Sequence, residues 1–322
     1  FFLHFYKDRY PTQDVAIKSN TYLIFRSLGL PFYLLNMHST AVLRGMKYPK
    51  VTLYSSIIVG ISNIILSVFL GIILNFGIQG IAIASSLSFL ISSIYSTNVL
   101  INTQAEYPNT NEQINKNIIS QKFFSIGFYI FVRSMFLTLF MAYLRNRASL
   151  MSMSEIALQH VMLQLWSFGY VFVDALAIAA QTLVAEHKAK YSQYMKSDLK
   201  KYLNKLTLKI SIILFVCSFL LLENIIQLIT NNQLSMILNQ ELKLLFSISL
   251  FIGSFAFLWD GVLLGLDKSE KFSSLTIVSS IIGFLFCSYL LNQDNSLSSL
   301  WIGLNASLLY RGVVGFYYQC VD

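Results

Sequence analysis

The residues Ala41–Lys47 read AVLRGMK, and the residues Gly261–Lys268 read GVLLGLDK. Each stretch ends a long apolar segment at a turn with small residues. A lysine and a new apolar run follow the turn in both cases. The glycines Gly45 and Gly265 lie 220 positions apart. In a hydrophobic chain, self-similarity at so long a period predicts two homologous membrane lobes, the architecture of a transporter. Because the second lobe opens near Lys122, the equivalent start of the first lobe falls before residue 1, and we expect a fragment that lacks the first half of that lobe.

The composition is typical of a membrane protein. Of the 322 residues, 55% are hydrophobic and only 12% are charged, and the mean hydropathy is +0.61. A soluble domain carries about 25% charged residues. We therefore expect an all-α, polytopic membrane protein whose surroundings are the lipid bilayer.

The net charge of +8 has a topological explanation, because the lysines lie in short connections between apolar runs. The positive-inside rule accounts for that placement, so no nucleic-acid partner is expected. The four histidines and three cysteines are scattered without metal-ligand spacing, and the sequence has no P-loop. We therefore expect no enzyme, no catalytic constellation, no metal site and no cofactor.

Nine apolar segments are each long enough to cross a bilayer as a helix. They are residues 21–46, 51–75, 78–101, 123–144, 155–185, 206–230, 241–266, 272–291 and 299–318. The longest polar break, residues 102–122, contains Pro108 and is predicted to be an interlobe linker. Three spans precede it in residues 1–101 and six follow it in residues 123–322. Since six plus six is the symmetric arrangement, we expect nine helices of a twelve-helix protein with two six-helix lobes.

The orientation follows from the loop charges. Eleven lysines lie in the connections on one side of the predicted spans, against five lysines and arginines on the other side. The side that is richer in positive charge is cytoplasmic, which places the linker and the C-terminus inside. The basic segment Glu186–Lys201 is expected among lipid headgroups. We expect a monomer in the plasma (inner) membrane.

A polar stripe lies on the predicted span 155–185. At about 100° per residue, His160 lies about 40° from Asp174, Gln181 about 20° on the other side of Asp174, and Gln164 about 40° beyond His160. A carboxylate at that depth is costly unless it is neutralised or paired, so Asp174 is a functional candidate. The stripe is expected to face a cavity; the alternative is hydrogen bonding that merely holds helices together.

Asp260 is the second membrane carboxylate, and two interpretations stay open. It is either a proton-exchanging carboxylate or a partly hydrated cap beside an interfacial Trp259. Arg133 and Arg311 also lie inside apolar runs, and Asp174 and Asp260 are their expected partners. If both pairs form, the carboxylates are structural. The sequence GVLLG at Gly261–Gly265 predicts a close helix contact.

Several segments resemble the MATE (multidrug and toxic compound extrusion) family, and in the second lobe its DinF-like branch. They are Tyr22–Pro31 with Leu43–Gly45, Asn63–Ser67, Gly77–Ala84, Ala157–Trp166, Val173–Val184 and Trp259–Gly265. The resemblance covers essentially the whole chain, and Asp174–Val184 and Asp260–Gly265 are its most specific parts.

The resemblance implies a secondary active antiporter of two six-helix lobes about a central cavity. It would export organic cations or amphiphilic compounds in exchange for protons or sodium, by alternating access. The family often has aspartate where this chain has Ser67, and the acidic residue of the first span would lie before residue 1, so the coupling ion stays open. Asn63 is a further candidate for the cavity wall. The expected substrate and ion site thus comprises His160, Gln164, Asp174, Gln181, Asp260, Arg133 and Asn63.

Two alternatives to the antiporter remain. A lipid-linked precursor flippase of the same superfamily needs a cationic cavity with inward-facing first-lobe arginines, for which Arg26 is the candidate. A degenerate, non-transporting membrane protein is the other alternative, because the sequence covers only nine of the twelve inferred spans.

Overall fold

The computed structural model describes residues 13–105, 116–191, 197–230 and 237–321, and within these ranges the regular structure is helical with no strand. Contacts divide the chain into two compact units, Phe1–Gln113 and Ile114–Asp322. The division falls inside the polar segment 102–122. Helices extend into that segment from both sides, to Ala105 and from Lys116. The lobe boundaries and the cytoplasmic linker stay predictions.

The N-terminal unit is built around one long helix. Its described elements are α1 (Gln13–Ser27), α2 (Leu30–Gly45), α3 (Pro49–Leu66), a π-helical continuation of α3 (Ser67–Ile73) and α4 (Gly77–Ala105). The long helix α4 packs against all the others. In the π-helical segment the Leu74 amide donates to the Phe69 carbonyl, five residues back, at 2.9 Å.

The predicted first span, residues 21–46, is not one helix. The chain breaks between Ser27 and Leu30, and α2 starts afresh with a proline in its first turn. Proline favours such a start because it needs no hydrogen-bonded amide there. A Cβ on Gly29 would lie 2.7 Å from the Ser86 Cβ, so the break lets the backbone approach α4 closely.

In the part of the C-terminal unit that the structure describes there are six helices. They are α5 (Lys116–Ala148), α6 (Met153–Tyr191), α7 (Ser197–Thr230), α8 (Gln240–Gly265), α9 (Ser269–Gln293) and α10 (Leu297–Val321). The helix α8 packs against α6, α7 and α10, while α9 packs against α5 and α10. The main apolar core of the C-terminal unit includes Trp166, Phe246 and Trp301, which come from α6, α8 and α10. The helix α8 is therefore the scaffold of this unit.

Seven helices in the described ranges are long and apolar enough to cross a membrane. They are Pro49–Ile73, Gly77–Thr103, Phe123–Ala148, Met153–Lys190, Asp198–Thr230, Gln240–Gly265 and Ser269–Gln293. Two predicted spans fall outside this set: the broken segment 21–46, and the segment 299–318 in α10, which carries Asn305 and Arg311. The chain is an all-α, integral membrane protein.

The 220-residue repeat extends to the helix boundaries. Gly45 and Gly265 end α2 and α8, and the helices that follow begin at Pro49 and Ser269. The turns between them share one hydrogen-bond pattern. The Tyr48 amide donates to the Leu43 carbonyl at 2.8 Å, as the Lys268 amide donates to the Leu263 carbonyl at 2.9 Å. The predicted self-similarity is therefore present in the backbone.

Candidate functional site

The four polar residues predicted on α6 lie along one side of a continuous helix. His160, Gln164 and Asp174 are exposed, and Gln181 is half-buried. On the other side of α6, a row of apolar side chains is buried in the C-terminal unit; it includes Leu158, Met162, Val173 and Ala180. The helix packs through that apolar row and leaves the polar stripe outside the core.

Asp174 lies near two arginines from other helices. It interacts electrostatically with Arg311 of α10 and Arg133 of α5. Neither arginine forms an ion pair with Asp174, and no other residue in the described ranges does so. Asp174 is thus a carboxylate held in the field of two cations without a fixed partner.

Arg133 is held by α9 instead. Its Nε donates to the Thr276 hydroxyl at 3.1 Å, and its guanidinium carbon lies 4.1 Å from the centre of the Phe272 ring. Such a cation–π contact stabilises a desolvated arginine by about 2 kcal/mol. The sequence predicts that Arg133 pairs with one of the two membrane carboxylates, and it has instead a hydrogen bond, an aromatic contact and a longer-range attraction to Asp174.

The expectation of a carboxylate partner is met for Arg311. Arg311 forms an ion pair with Asp260 of α8, and the two residues are 3% and 5% exposed. The guanidinium carbon of Arg311 also lies 4.7 Å from the centre of the Phe257 ring, on the same helix as Asp260. Removing one partner of such a buried pair typically costs about 3–5 kcal/mol. Asp260 is thus fixed by a partner, unlike Asp174.

The interpretation of Asp260 as a hydrated cap beside an interfacial tryptophan is wrong. Trp259 is only 2% exposed and packs edge-to-face on Phe316, with ring centres 5.7 Å apart. The sequence places Asp260 near the end of an apolar run, but α10 covers this part of α8 and removes it from water. Burial of both residues comes from helix packing, which local sequence does not record.

The helices α6 and α8 touch backbone to backbone beside the stripe. A Cβ on Gly261 would collide with the Ala177 carbonyl oxygen, and one on Gly265 would lie 2.6 Å from the Gln181 carbonyl oxygen. The prediction that Gly261–Gly265 forms a helix contact is confirmed. This contact fixes the part of α6 that carries Asp174 and Gln181 against the helix that carries Asp260.

Sequence reasoning missed Tyr170, which interacts electrostatically with both Arg311 and Asp174. Its hydroxyl donates to the Ser249 carbonyl at 3.2 Å, and it is buried between α6 and α8. Its position one turn before Asp174 is a signal that the sequence contains. In an aromatic-rich apolar run, however, that signal does not separate a polar contact from ordinary packing.

Asn63 lies in the N-terminal unit, in a separate polar cluster. Its amide nitrogen donates to the Ser85 hydroxyl at 2.9 Å, and its carbonyl oxygen accepts from the Ser67 hydroxyl at 3.3 Å. Ser67 begins the π-helical segment. The sequence has no aspartate or glutamate from residue 17 to residue 105, so this cluster consists of neutral oxygen and nitrogen groups.

A second neutral cluster lies around Asn36, whose side-chain oxygen accepts hydrogen bonds from three serine hydroxyls. They are Ser55 at 3.0 Å, Ser92 at 3.3 Å and Ser96 at 2.9 Å. All four residues are buried. The described ranges contain no group of three or more histidine, cysteine, aspartate or glutamate side chains that could hold a metal ion.

Comparison with known proteins agrees with this architecture. The family model for MatE matches residues 2–69. Protein DETOXIFICATION 42 of Arabidopsis thaliana is 24% identical over 311 residues, which are 93% of this chain and 57% of that protein. The chloroplastic protein DETOXIFICATION 45 of the same plant is 23% identical over 94% of this chain and 53% of its own length. The chain spans about half the length of these relatives.

Solved structures share the fold. A crystal structure of MATE in complex with MaL6 superposes with a TM-score of 0.83 at 17% identity, over 99% of this chain and 72% of that one. A transporter of the MOP superfamily from Pyrococcus furiosus, described as having reverse polarity of its binding pocket, gives the same TM-score, identity and coverage. The fold and the intramembrane charges define an all-helical, polytopic membrane protein. The chain is thus similar to proteins of the MATE (multidrug and toxic compound extrusion) family, in sequence over residues 2–69 and in fold over nearly its whole length.

Proposed function

We propose that this chain forms part of a secondary active antiporter, which exports organic cations or amphiphilic compounds in exchange for protons or sodium by alternating access. The observation that carries the proposal is Asp174, an exposed carboxylate on an apolar helix with no ion-pair partner in the described ranges. An ionisable residue placed in this way within a membrane span is a functional candidate by default.

The charges around Asp174 favour a switch. Arg133, Arg311, Asp174 and Asp260 sum to zero when all four are ionised. Because Asp260 and Arg311 neutralise each other in a buried pair, Asp174 is the group that is free to change its charge. Protonation of Asp174, or binding of a cation to it, leaves one net positive charge in the cluster. An incoming cation would therefore compete with a proton for Asp174, which is what exchange requires.

The coupling ion has two candidate positions. A proton would act at Asp174. A sodium ion prefers oxygen ligands, and the Asn63 carbonyl with the Ser67 and Ser85 hydroxyls supplies neutral oxygens in the N-terminal unit. We propose proton coupling at Asp174, because the Asn63 cluster contains no carboxylate to offset the charge of an ion in lipid.

The test is transport by the protein reconstituted into proteoliposomes. Uptake or export of a fluorescent organic cation is followed with an imposed proton gradient, an imposed sodium gradient, or neither. We expect transport that depends on the proton gradient. If neither gradient changes the distribution of any tested cation or amphiphile across the membrane, the proposal is contradicted and a non-transporting protein is favoured.

A lipid-linked precursor flippase is the second candidate, and Arg133 is the observation in its favour. Arg133 contacts Thr276 and Phe272, and no carboxylate in the described ranges lies within ion-pair distance of it. Its guanidinium is therefore available to bind an anionic head group. In the N-terminal unit, however, Arg26 lies over the Phe89 ring at 5.2 Å. Movement of a fluorescent anionic lipid without movement of the organic cation would favour this alternative.

For location we propose a monomer in the plasma (inner) membrane, with the interlobe segment and the C-terminus in the cytoplasm. The lysine-rich connections support this orientation. Two of the Arabidopsis relatives are named as chloroplastic, so an organelle membrane is the alternative location. Accessibility of cysteines introduced at Lys50 and Arg145 to a membrane-impermeant reagent would decide the orientation.

A further inference from the structure

One row of side chains on α7 changes character along the helix. At intervals of four residues it runs through Lys201, Lys205, Lys209, Ile213, Cys217 and Leu221. All six side chains are exposed, whereas Leu203, Thr207 and Ser211 on the opposite side are buried in the C-terminal unit. Three consecutive turns thus present ammonium groups to the surroundings, and the next three turns present apolar groups.

The apolar half of the row forms one wall of a groove between α6 and α7. The groove has a volume of about 520 Å³, and Phe168 and Phe172 of α6 form much of its other wall. Among the lining residues, Ser218 supplies the one hydroxyl, which donates to the Ser247 hydroxyl at 3.0 Å. Phe168 is 67% exposed, so the groove opens away from the helix bundle.

The spacing of charges on α7 places the lysines at the membrane surface. Toward its other end, Glu223 forms an ion pair with Lys243 of α8 at 3.2 Å. The uncharged stretch between Lys209 and Glu223 is 13 residues long. That stretch spans about 20 Å, which is less than the hydrocarbon thickness of about 30 Å. Lys209 therefore has to extend toward lipid phosphates, and the nearby lipids have to adapt to it.

We propose that this surface binds an anionic phospholipid, with its phosphate on Lys205 and Lys209, supported by Lys201, and an acyl chain in the groove between α6 and α7. Charge complementarity selects the head group, and the apolar walls select the tail. From Ile210 to Leu222 the α7 wall rises about 18 Å, close to the hydrocarbon depth of one leaflet. The proposal is independent of what the protein transports.

Binding is measured by native mass spectrometry of the protein in neutral detergent. Palmitoyl-oleoyl phosphatidylglycerol is titrated against the zwitterionic phosphatidylcholine with the same chains. We expect preferential retention of phosphatidylglycerol. Equal retention of the two lipids would overturn the proposal. Inorganic phosphate is added as a competitor, and its displacement of the lipid at equal concentration would show a phosphate site without a role for the groove, which would also overturn the proposal.

Variants separate the head group from the tail. Lys201→Gln, Lys205→Gln and Lys209→Gln together should weaken phosphatidylglycerol binding by about tenfold or more, since the triple variant removes the cations that attract the phosphate. The matched control removes the same charge elsewhere, with Lys18→Gln, Lys50→Gln and Arg145→Gln, and should retain binding. Loss in the control equal to loss in the test variant would refute a specific site.

Two further variants guard against misfolding. The triple variant Lys201→Arg, Lys205→Arg and Lys209→Arg keeps the charge and should retain phosphatidylglycerol binding. Cys217→Trp fills the groove and should weaken binding of the two-chain lipid while the lysines are intact. If the arginine variant folds but loses the lipid, or the tryptophan variant binds it as tightly as the unmodified protein, the proposal is wrong.

Discussion

Lys47 and Asp267 occupy the same left-handed backbone position, with φ of 66° and 63°, in two turns that lie 220 residues apart. Each follows the glycine that ends its helix by two residues. A left-handed backbone conformation costs residues other than glycine about 1 kcal/mol. The chain therefore keeps one strained turn twice, with a lysine in one copy and an aspartate in the other.

The first prediction concerns this strain. The Lys47→Gly variant should be more stable than Lys47→Ala by about 1 kcal/mol, and Asp267→Gly should exceed Asp267→Ala by a similar amount. Both members of each pair lack the native side chain, and only glycine adopts left-handed backbone without strain. The measurement is thermal unfolding of the purified protein in detergent. Ser56, exposed in the middle of α3, is the control, where alanine should be the more stable by a similar amount. If alanine variants were more stable than glycine variants at positions 47 and 267, as at position 56, the left-handed backbone of the two turns would be contradicted.

The second prediction concerns Asp174. Asp174→Asn keeps the shape and most of the hydrogen-bonding capacity but removes the charge that can titrate, and the side chain is exposed. Folding should survive, with a change in unfolding free energy within about 0.5 kcal/mol, while gradient-dependent transport falls and its pH dependence flattens. Thermal unfolding and proteoliposome transport measured across pH provide the check. Normal transport at every pH and sodium concentration would make Asp174 structural.

The third prediction separates Asp260 from Asp174. Asp260→Asn leaves Arg311 buried without its counter-charge and should destabilise the protein by about 3–5 kcal/mol. Asp260→Asn combined with Arg311→Met removes both charges and should recover a substantial part of that loss. A double-mutant cycle on thermal stability measures the coupling. Strictly additive effects would show that the ion pair contributes nothing to the fold.

The fourth prediction tests the contact between α6 and α8. Gly261→Ala and Gly265→Ala each place a methyl group against a carbonyl oxygen of α6 and should destabilise by about 1–3 kcal/mol. Gly60, within α3, has no atom within 4 Å of the position of an added Cβ. Gly60→Ala should therefore be neutral or stabilising by up to about 1 kcal/mol. Equal effects at all three glycines would refute the close approach.

The sequence predicts this fold well where the signal is periodic. The turn at Gly45 has a matching turn at Gly265. The GVLLG pattern predicts a helix contact that the structure contains, because glycines four residues apart lie on one side of a helix and let a second backbone approach. Hydropathy does not show the break at Gly29, since apolar residues continue on both sides of it, although Pro31 favours a helix start there. Hydropathy depends on side chains, whereas the break depends on how closely the backbone approaches Ser86.

The candidate site is less predictable. The stripe on α6 follows from helical phase within one element, and the residues lie as that phase requires. The partners of the arginines depend on contacts between distant segments, as with Arg133 and Thr276, which are separated by 143 positions. One sequence supplies plausible charges for such pairs but not the crossing points of helices. It therefore suggests a carboxylate, Asp174 or Asp260, as the partner of Arg133, where the structure has the Thr276 hydroxyl and the Phe272 ring.

The π-helical segment Ser67–Ile73 limits how far the repeat can be used to transfer roles. Its counterpart by position, residues 287–293 in α9, remains α-helical up to Gln293. From Ser67 onward, the two copies therefore turn by different angles per residue, and equivalent positions point in different directions. The turns at Lys47 and Asp267 share one backbone conformation, but a polar residue beyond Ser67 has no structurally equivalent residue 220 positions later. The two matching turns therefore lie in segments whose rotational registers diverge beyond Ser67.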